Sequence, residues 1–129
     1  MQTARVWRER NTRYRNEVGR CDGCGAMHYP PRLVCDACGS REMSPVAMAE
    51  EGRVLTYTVI RTAPPGFANE VPYAVAVIEM DDGTRLMAQV SDIAVGDLKT
   101  GLRVRLEFRK IRQDGRAGVI CYGHKAVPV

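Results

Sequence analysis

The sequence has no long apolar run, few aromatic residues and none of the short signatures of independent catalysis. No stretch approaches the roughly 18 consecutive apolar residues of a membrane-spanning helix, and the first fifteen residues, rich in Arg, lack the apolar centre of a secretory signal. The expectation is a cytoplasmic protein with no membrane partner. There is no G-x-S-x-G, no H-E-x-x-H, no P-loop and no G-x-G-x-x-G. Histidine occurs twice, and Asp81-Asp82, the paired carboxylate of the strand-rich part, precedes Gly83 and reads as a turn. With 129 residues the chain has room for one domain or two very small ones, which excludes a large two-domain enzyme. These absences describe a protein that binds rather than one that performs chemistry alone.

What is present is the composition of a packed globular protein, 45% apolar and 26% charged. The formal charge of +4 is unevenly spread. Met1 to Arg20 holds six Arg against two Glu, Arg41 to Leu98 has four basic and nine acidic residues, and Lys99 to Lys125 has eight basic and two acidic. Two basic segments therefore flank an acidic one.

No helix breaker occurs from Thr3 to Arg15, and Val6, Trp7, Arg10 and Tyr14 recur at helical spacing, so the spacing predicts a short amphipathic helix. Its thin apolar stripe is marginal alone in water and must dock, either on its own domain or on a partner chain. From Gly52 onward strand-like runs begin: Arg53 to Ile60, Pro72 to Met80, Thr84 to Val90, Leu102 to Arg109 and Ala117 to Tyr122. The fourth alternates apolar and charged residues and predicts one buried and one mostly basic face. The connection Ser91 to Gly101 has room for at most a short helix. Five short strands in hairpin-rich order suggest an OB-type barrel, with an SH3-like barrel or a sandwich fragment as alternatives. The predicted organisation is an N-terminal helix (1–18), a cysteine-rich ribbon (19–45) and a barrel (46–129).

The ribbon rests on two copies of C-x-x-C-G, Cys21 to Gly25 and Cys35 to Gly39, ten residues apart. Two intervening residues let a tight turn aim both sulfurs at one point, and the following Gly permits the positive φ that brings backbone N–H groups toward the thiolates. Cys21, Cys24, Cys35 and Cys38 thus predict one tetrahedral Zn²⁺. A ligand set made entirely by protein leaves no open position, so the ion is structural. Iron would accept the same four ligands, whereas a redox dithiol would need a βαβ setting that is absent. His28, between the knuckles, reads as an exposed or packing residue, and Cys121, in an apolar run, as a small buried hydrophobe.

Further motifs follow in fixed order. Trp7-Arg8-Glu9 and Arg13-Tyr14 precede the first knuckle, and Tyr29-Pro30-Pro31-Arg32 lies between the two. Then come Gly52 to Val59 (G-x-V-x-T-Y-T-V), Ala63 to Phe67 (A-P-P-G-F), Pro72-Tyr73, Arg109 to Gly115 (R-K-I-R-x-D-G) and Tyr122 to Lys125 (Y-G-H-K). Over nearly its whole length the chain resembles the zinc-ribbon/OB-fold proteins that accompany thiolases and hydroxymethylglutaryl-CoA synthases. The resemblance implies a rubredoxin-like ribbon before an OB-fold and a non-catalytic acyl-CoA-associated subunit with a thiolase-like partner. CoA carries a 3′-phosphate and a pyrophosphate, so Arg109, Lys110, Arg112 and Lys125 become candidate contacts for it, with Phe67 on a stiff loop beside them. Trp7, Arg8 and Tyr14 become candidate partner contacts. The tail after Lys125 lacks the aromatic that relatives often carry. The rival readings are a single-stranded nucleic-acid module, disfavoured by 6% aromatics that must also serve the core, and an iron-loaded electron carrier, which leaves the barrel without a task.

Overall fold

The computed structural model describes residues 3–129. The expected single N-terminal helix is two short ones, α1 (Thr3–Arg8) and α2 (Arg10–Arg15), parted at Glu9 with φ −93° and ψ 7°. At the junction Arg10 stacks its guanidinium 4.1 Å over the Trp7 ring and donates from Nη1 to the Trp7 carbonyl at 2.8 Å. Asn16, in the left-handed conformation (φ 51°), stops α2.

The chain then forms a three-stranded antiparallel sheet in the order β2-β1-β3, from β1 (Glu17–Cys21), β2 (Met27–His28) and β3 (Met43–Ala47). The five remaining strands close a barrel in the order β4-β5-β6-β8-β7: β4 (Glu51–Ile60), β5 (Tyr73–Met80), β6 (Arg85–Val90), β7 (Arg103–Gln113) and β8 (Ile120–Pro128). The parallel meeting of β6 and β8 at Val90 and Ala126 and the return of β7 onto β4 give the Greek-key path of an OB-fold. A closed barrel removes the sandwich fragment from consideration. The Ser91 to Gly101 connection holds one 3₁₀ turn, Val95–Asp97.

Period-two burial makes the core. On β5, Ala74, Ala76, Ile78 and Met80 point inward, and on β6 Leu86, Ala88 and Val90 do the same. β4 crosses β5 so closely at Gly52 that a Cβ there would lie 2.5 Å from the Glu79 carbonyl oxygen, so only glycine fits. Val18 of β1 and Met48, just after β3, join the barrel core, so ribbon and barrel share apolar packing. Asp82 adds a tie: its carboxylate accepts from the Thr84 amide at 2.9 Å, shaping the expected turn, and from the Ala49 amide at 2.8 Å.

The largest departure from expectation lies in the last hairpin. β7 runs four residues beyond the expected Arg109, and β8 runs through Pro128 rather than ending at Tyr122. The two strands stay in register from Val104–Pro128 to Gln113–Ile120 with a bulge at Ile111, so pairing with β7 holds Gly123 to Pro128 extended despite its Gly and Lys. No helix among the described residues is long and apolar enough to cross a membrane.

Candidate functional site

The two knuckles meet at the edge of the small sheet. Gly25 donates to the Cys21 carbonyl at 2.8 Å and Gly39 to the Cys35 carbonyl at 2.9 Å, and both glycines have positive φ (77° and 76°), as the repeated motif requires. The four sulfurs converge, with Cys21–Cys38 at 3.5 Å, Cys24–Cys35 at 3.6 Å and all pairs within 4.8 Å. An ion about 2.3 Å from four tetrahedral sulfurs would hold them roughly 3.8 Å apart, so the cluster fits one.

The protonation chemistry agrees. The Cys24 amide draws the Cys21 thiol below its ordinary value, and the Cys38 amide, with the His28 side chain, draws Cys35 down to about 6. Cys24, although offered the Ala26 amide, is pushed up to about 12 by the Cys35 and Cys38 thiols, and Cys38, although offered the Ser40 amide, is raised by Cys21. Four thiolates at this separation need a cation between them. His28 is buried, its Nδ1 3.8 Å from a carboxylate oxygen of Asp36, and packs beside Cys35 outside the four-sulfur set.

The candidate partner residues separate. Trp7 is 66% exposed and Arg8 points to solvent, whereas Tyr14 lies edge-on against Phe108 of β7, centroids 5.7 Å apart. Phe108 stacks on Tyr122 at 5.5 Å and meets the His124 ring at 5.5 Å, and His124 Nδ1 donates to the Arg13 carbonyl at 3.1 Å. α2 is thus clamped to the barrel by an aromatic cluster that sequence reasoning missed. Its only advance signal was the alternation of Phe108 and Lys110 with Tyr122 and His124, visible once the hairpin register is known.

The expected basic face of β7 is interleaved with carboxylates. Arg103 binds Asp81 and Glu51, Arg105 binds Glu107, and Arg109 makes a two-pronged contact with Asp92. That contact holds the Asp92 carboxyl below the usual carboxylate range. Lys110 donates to Gln113 at 3.0 Å and makes no ion pair among the described residues, while Arg112 binds Asp114 at 2.8 Å and its buried Nε has no hydrogen-bond partner among them. Lys110 and Arg112 line a cleft of about 420 Å³ under Gly66 and Ala68. Phe67, between those two, is half-buried and stacks on Tyr73. Lys125 stands apart in a neighbouring cleft of about 510 Å³ with Tyr73, Ser91 and Asp92, and Glu70 borders both clefts. Cys121 is buried on β8.

Comparison with known proteins covers the whole molecule. Residues 17–44 match the family model "ChsH2, rubredoxin-like zinc ribbon domain", and residues 45–109 match "ChsH2, C-terminal OB-fold domain". A "DUF35 domain-containing scaffold protein" of Methanocaldococcus jannaschii is 36% identical over 97% of this chain and 89% of its own length. The "Benzoylsuccinyl-CoA thiolase subunit BbsA" of Thauera aromatica is 26% identical over 82% of this chain and 71% of its own. Among solved structures, a chain of the "Ltp2-ChsH2(DUF35) aldolase" superposes with a TM-score of 0.74 at 27% identity, over 99% of this chain and 96% of that one.

Proposed function

The chain belongs to the ChsH2-type DUF35 family of rubredoxin-like zinc-ribbon and OB-fold proteins, and from that premise we propose that it is a non-catalytic subunit of a thiolase-type acyl-CoA complex. The observation that carries the proposal is the likeness of ribbon and barrel together, over 99% of this chain, to a chain of an aldolase, with a thiolase subunit matching over 82% of it. The carbon–carbon bond chemistry belongs to the partner. The ribbon holds one structural zinc through Cys21, Cys24, Cys35 and Cys38. That ion supplies rigidity rather than Lewis acidity, because four protein thiolates fill a tetrahedral shell. A reduced thiol cluster suits the cytoplasm.

Within the complex, the cleft under the Gly66 to Glu70 loop receives the phosphate end of CoA. Lys110 brings a cation without an ion-pair partner, and the unpartnered Nε of Arg112 supplies a second donor. Phe67 lies along the pantetheine arm, and Arg109 and Lys125 add positive charge behind Asp92 and Glu70. Trp7 and Arg8 face the partner. Affinity purification from native cells, followed by identification of the bound protein and a CoA-binding measurement on the isolated complex, tests this reading. A thiolase-like protein in stoichiometric amount is the expected result. A chain that emerges alone and binds a single-stranded oligonucleotide in preference to CoA would overturn it.

A further inference from the structure

The cleft bordered by β5, β6 and β8 contains a cation that is only loosely paired. Lys125 is 9% exposed because its stem is buried, while its ammonium opens onto the cleft; among the described residues its ion-pair partner is Glu70, with Nζ and Oε2 at a loose 3.8 Å. A lysine whose stem is packed and whose head alone reaches water presents its charge at a fixed point. Glu70 is not dedicated to it either: the same Oε2 accepts from Gln89 Nε2 at 2.9 Å, and the residue sits at the end of the loop that separates the two clefts. Asp92, the other carboxylate on the wall, is already taken by both prongs of Arg109. The ammonium therefore faces about 510 Å³ of open cleft, a volume that suits a small organic ligand.

The walls specify which kind. Tyr73, Ile93 and Val95 are apolar, and Ser91 is the small polar residue beside them. A dianionic phosphate would bring two charges against one ammonium and two carboxylates, whereas a monoanion with a carbon skeleton matches both the single cation and the apolar walls. We propose that this cleft binds a small carboxylate with a short apolar tail, whose carboxylate takes Lys125 in place of Glu70. The ligand tail lies against Tyr73, Ile93 and Val95, and Glu70 swings out with its loop. Glu70 is then a built-in competitor that keeps the ammonium neutralised when the cleft is empty. This cleft shares Glu70 with the phosphate cleft, and its Lys125 acts on CoA in the reading above only through its charge; binding of the carboxylate needs neither CoA nor a partner chain, so it can fail while the reading of a thiolase-type subunit stands, and the reverse.

The test is a titration of the metal-loaded, ¹⁵N-labelled full chain with butyrate, butyramide and inorganic phosphate, following the amide signals of Gln89, Ser91 and Lys125. Butyrate should shift them saturably, and butyramide and phosphate should not. Glu70→Gln should bind butyrate tighter by about tenfold, because one like charge leaves the cleft, and Lys125→Met should lose the binding. Equal responses to butyrate and butyramide, stronger binding of phosphate, or unchanged or weaker butyrate binding by Glu70→Gln would each overturn the proposal. The Glu70→Gln arm decides the matter even if Lys125→Met does not fold.

Discussion

His124 is the titratable residue whose surroundings have the clearest consequence near neutral pH. It is half-buried between Phe108 and the backbone of α2, and burial pulls its pKa below the ordinary value of about 6.5, against the opposing pull of the Arg13 carbonyl that it hydrogen-bonds. A histidine depressed in the folded state takes up its proton more readily when unfolded. Stability is therefore complete above the unfolded pKa, falls as pH drops below about 6.5, and levels off once pH passes below the folded value. The carboxylates Glu79, Asp81 and Asp92 titrate low because of their arginine partners, so their contribution is lost only at more acid pH. Metal loss at low pH acts through the ribbon and is common to all variants. The difference in melting temperature between wild type and His124→Phe isolates the histidine: it should shift in favour of the variant as pH falls from about 7 to about 5. A pH-independent difference would show that His124 does not titrate in this window.

At the scale of elements, the two halves of the N-terminal segment have different tasks. Trp7 spends its ring on Arg10 and solvent, whereas Tyr14 is anchored to Phe108. Trp7→Ala should leave the melting temperature nearly unchanged, within about 0.5 kcal/mol, while weakening co-purification of the proposed partner. Tyr14→Ala should cost the fold about 1 kcal/mol through the lost edge-on aromatic contact. Both are read by thermal denaturation, and a large destabilisation by Trp7→Ala would assign α1 to the chain's own fold. This division was not legible in the sequence. Val6, Trp7, Arg10 and Tyr14 share helical spacing, and only the contacts of Tyr14 with Phe108 and of the Arg13 carbonyl with His124 single out α2 as the part that docks on the barrel. The middle strands were legible because the barrel buries one face of each: the alternation in Ala74 to Met80 and Leu86 to Val90 is the inside-outside pattern itself. The knuckles were legible because thiolate geometry dictates the spacing of their ligands. The small strands β1 to β3 were not, since Glu17–Cys21 has little β-branched character and owes its extension to pairing with Met43–Ala47. The reach of β8 and the burial of Lys125 were equally hidden, because a lysine after Gly-His reads as surface until the register against Glu107 is fixed.

At the scale of the whole molecule, the question is how far the metal's influence extends. Four thiolates on a divalent ion carry a net −2, which reduces the formal +4 to about +2 and leaves an anionic knob beside an arginine-rich segment. The segment from Asp22 to Glu42 contributes little to the core: Met27 and Tyr29 pack against it only partly buried, and Leu33 is 88% and Val34 43% exposed. Its order therefore rests on the ion, whose binding can supply on the order of 10 kcal/mol. The barrel has its own core, yet Val18 and Met48, fully or nearly buried, belong to it and come from the ribbon side. A strong chelator should therefore act in two parts. Amide signals of residues 22–42 should collapse to unfolded positions while the strand circular dichroism of β4 to β8 persists. The remaining barrel should then melt earlier, by about 2–4 kcal/mol for the loss of cover over two apolar side chains. An unchanged barrel midpoint would mean that β1 stays docked without the metal, through Val18 and the Met48 amide's bond to the Asn16 carbonyl at 2.9 Å. A single cooperative collapse of ribbon and barrel together would mean that the ion stabilises the whole chain, and that the barrel cannot stand on the core closed by its own five strands.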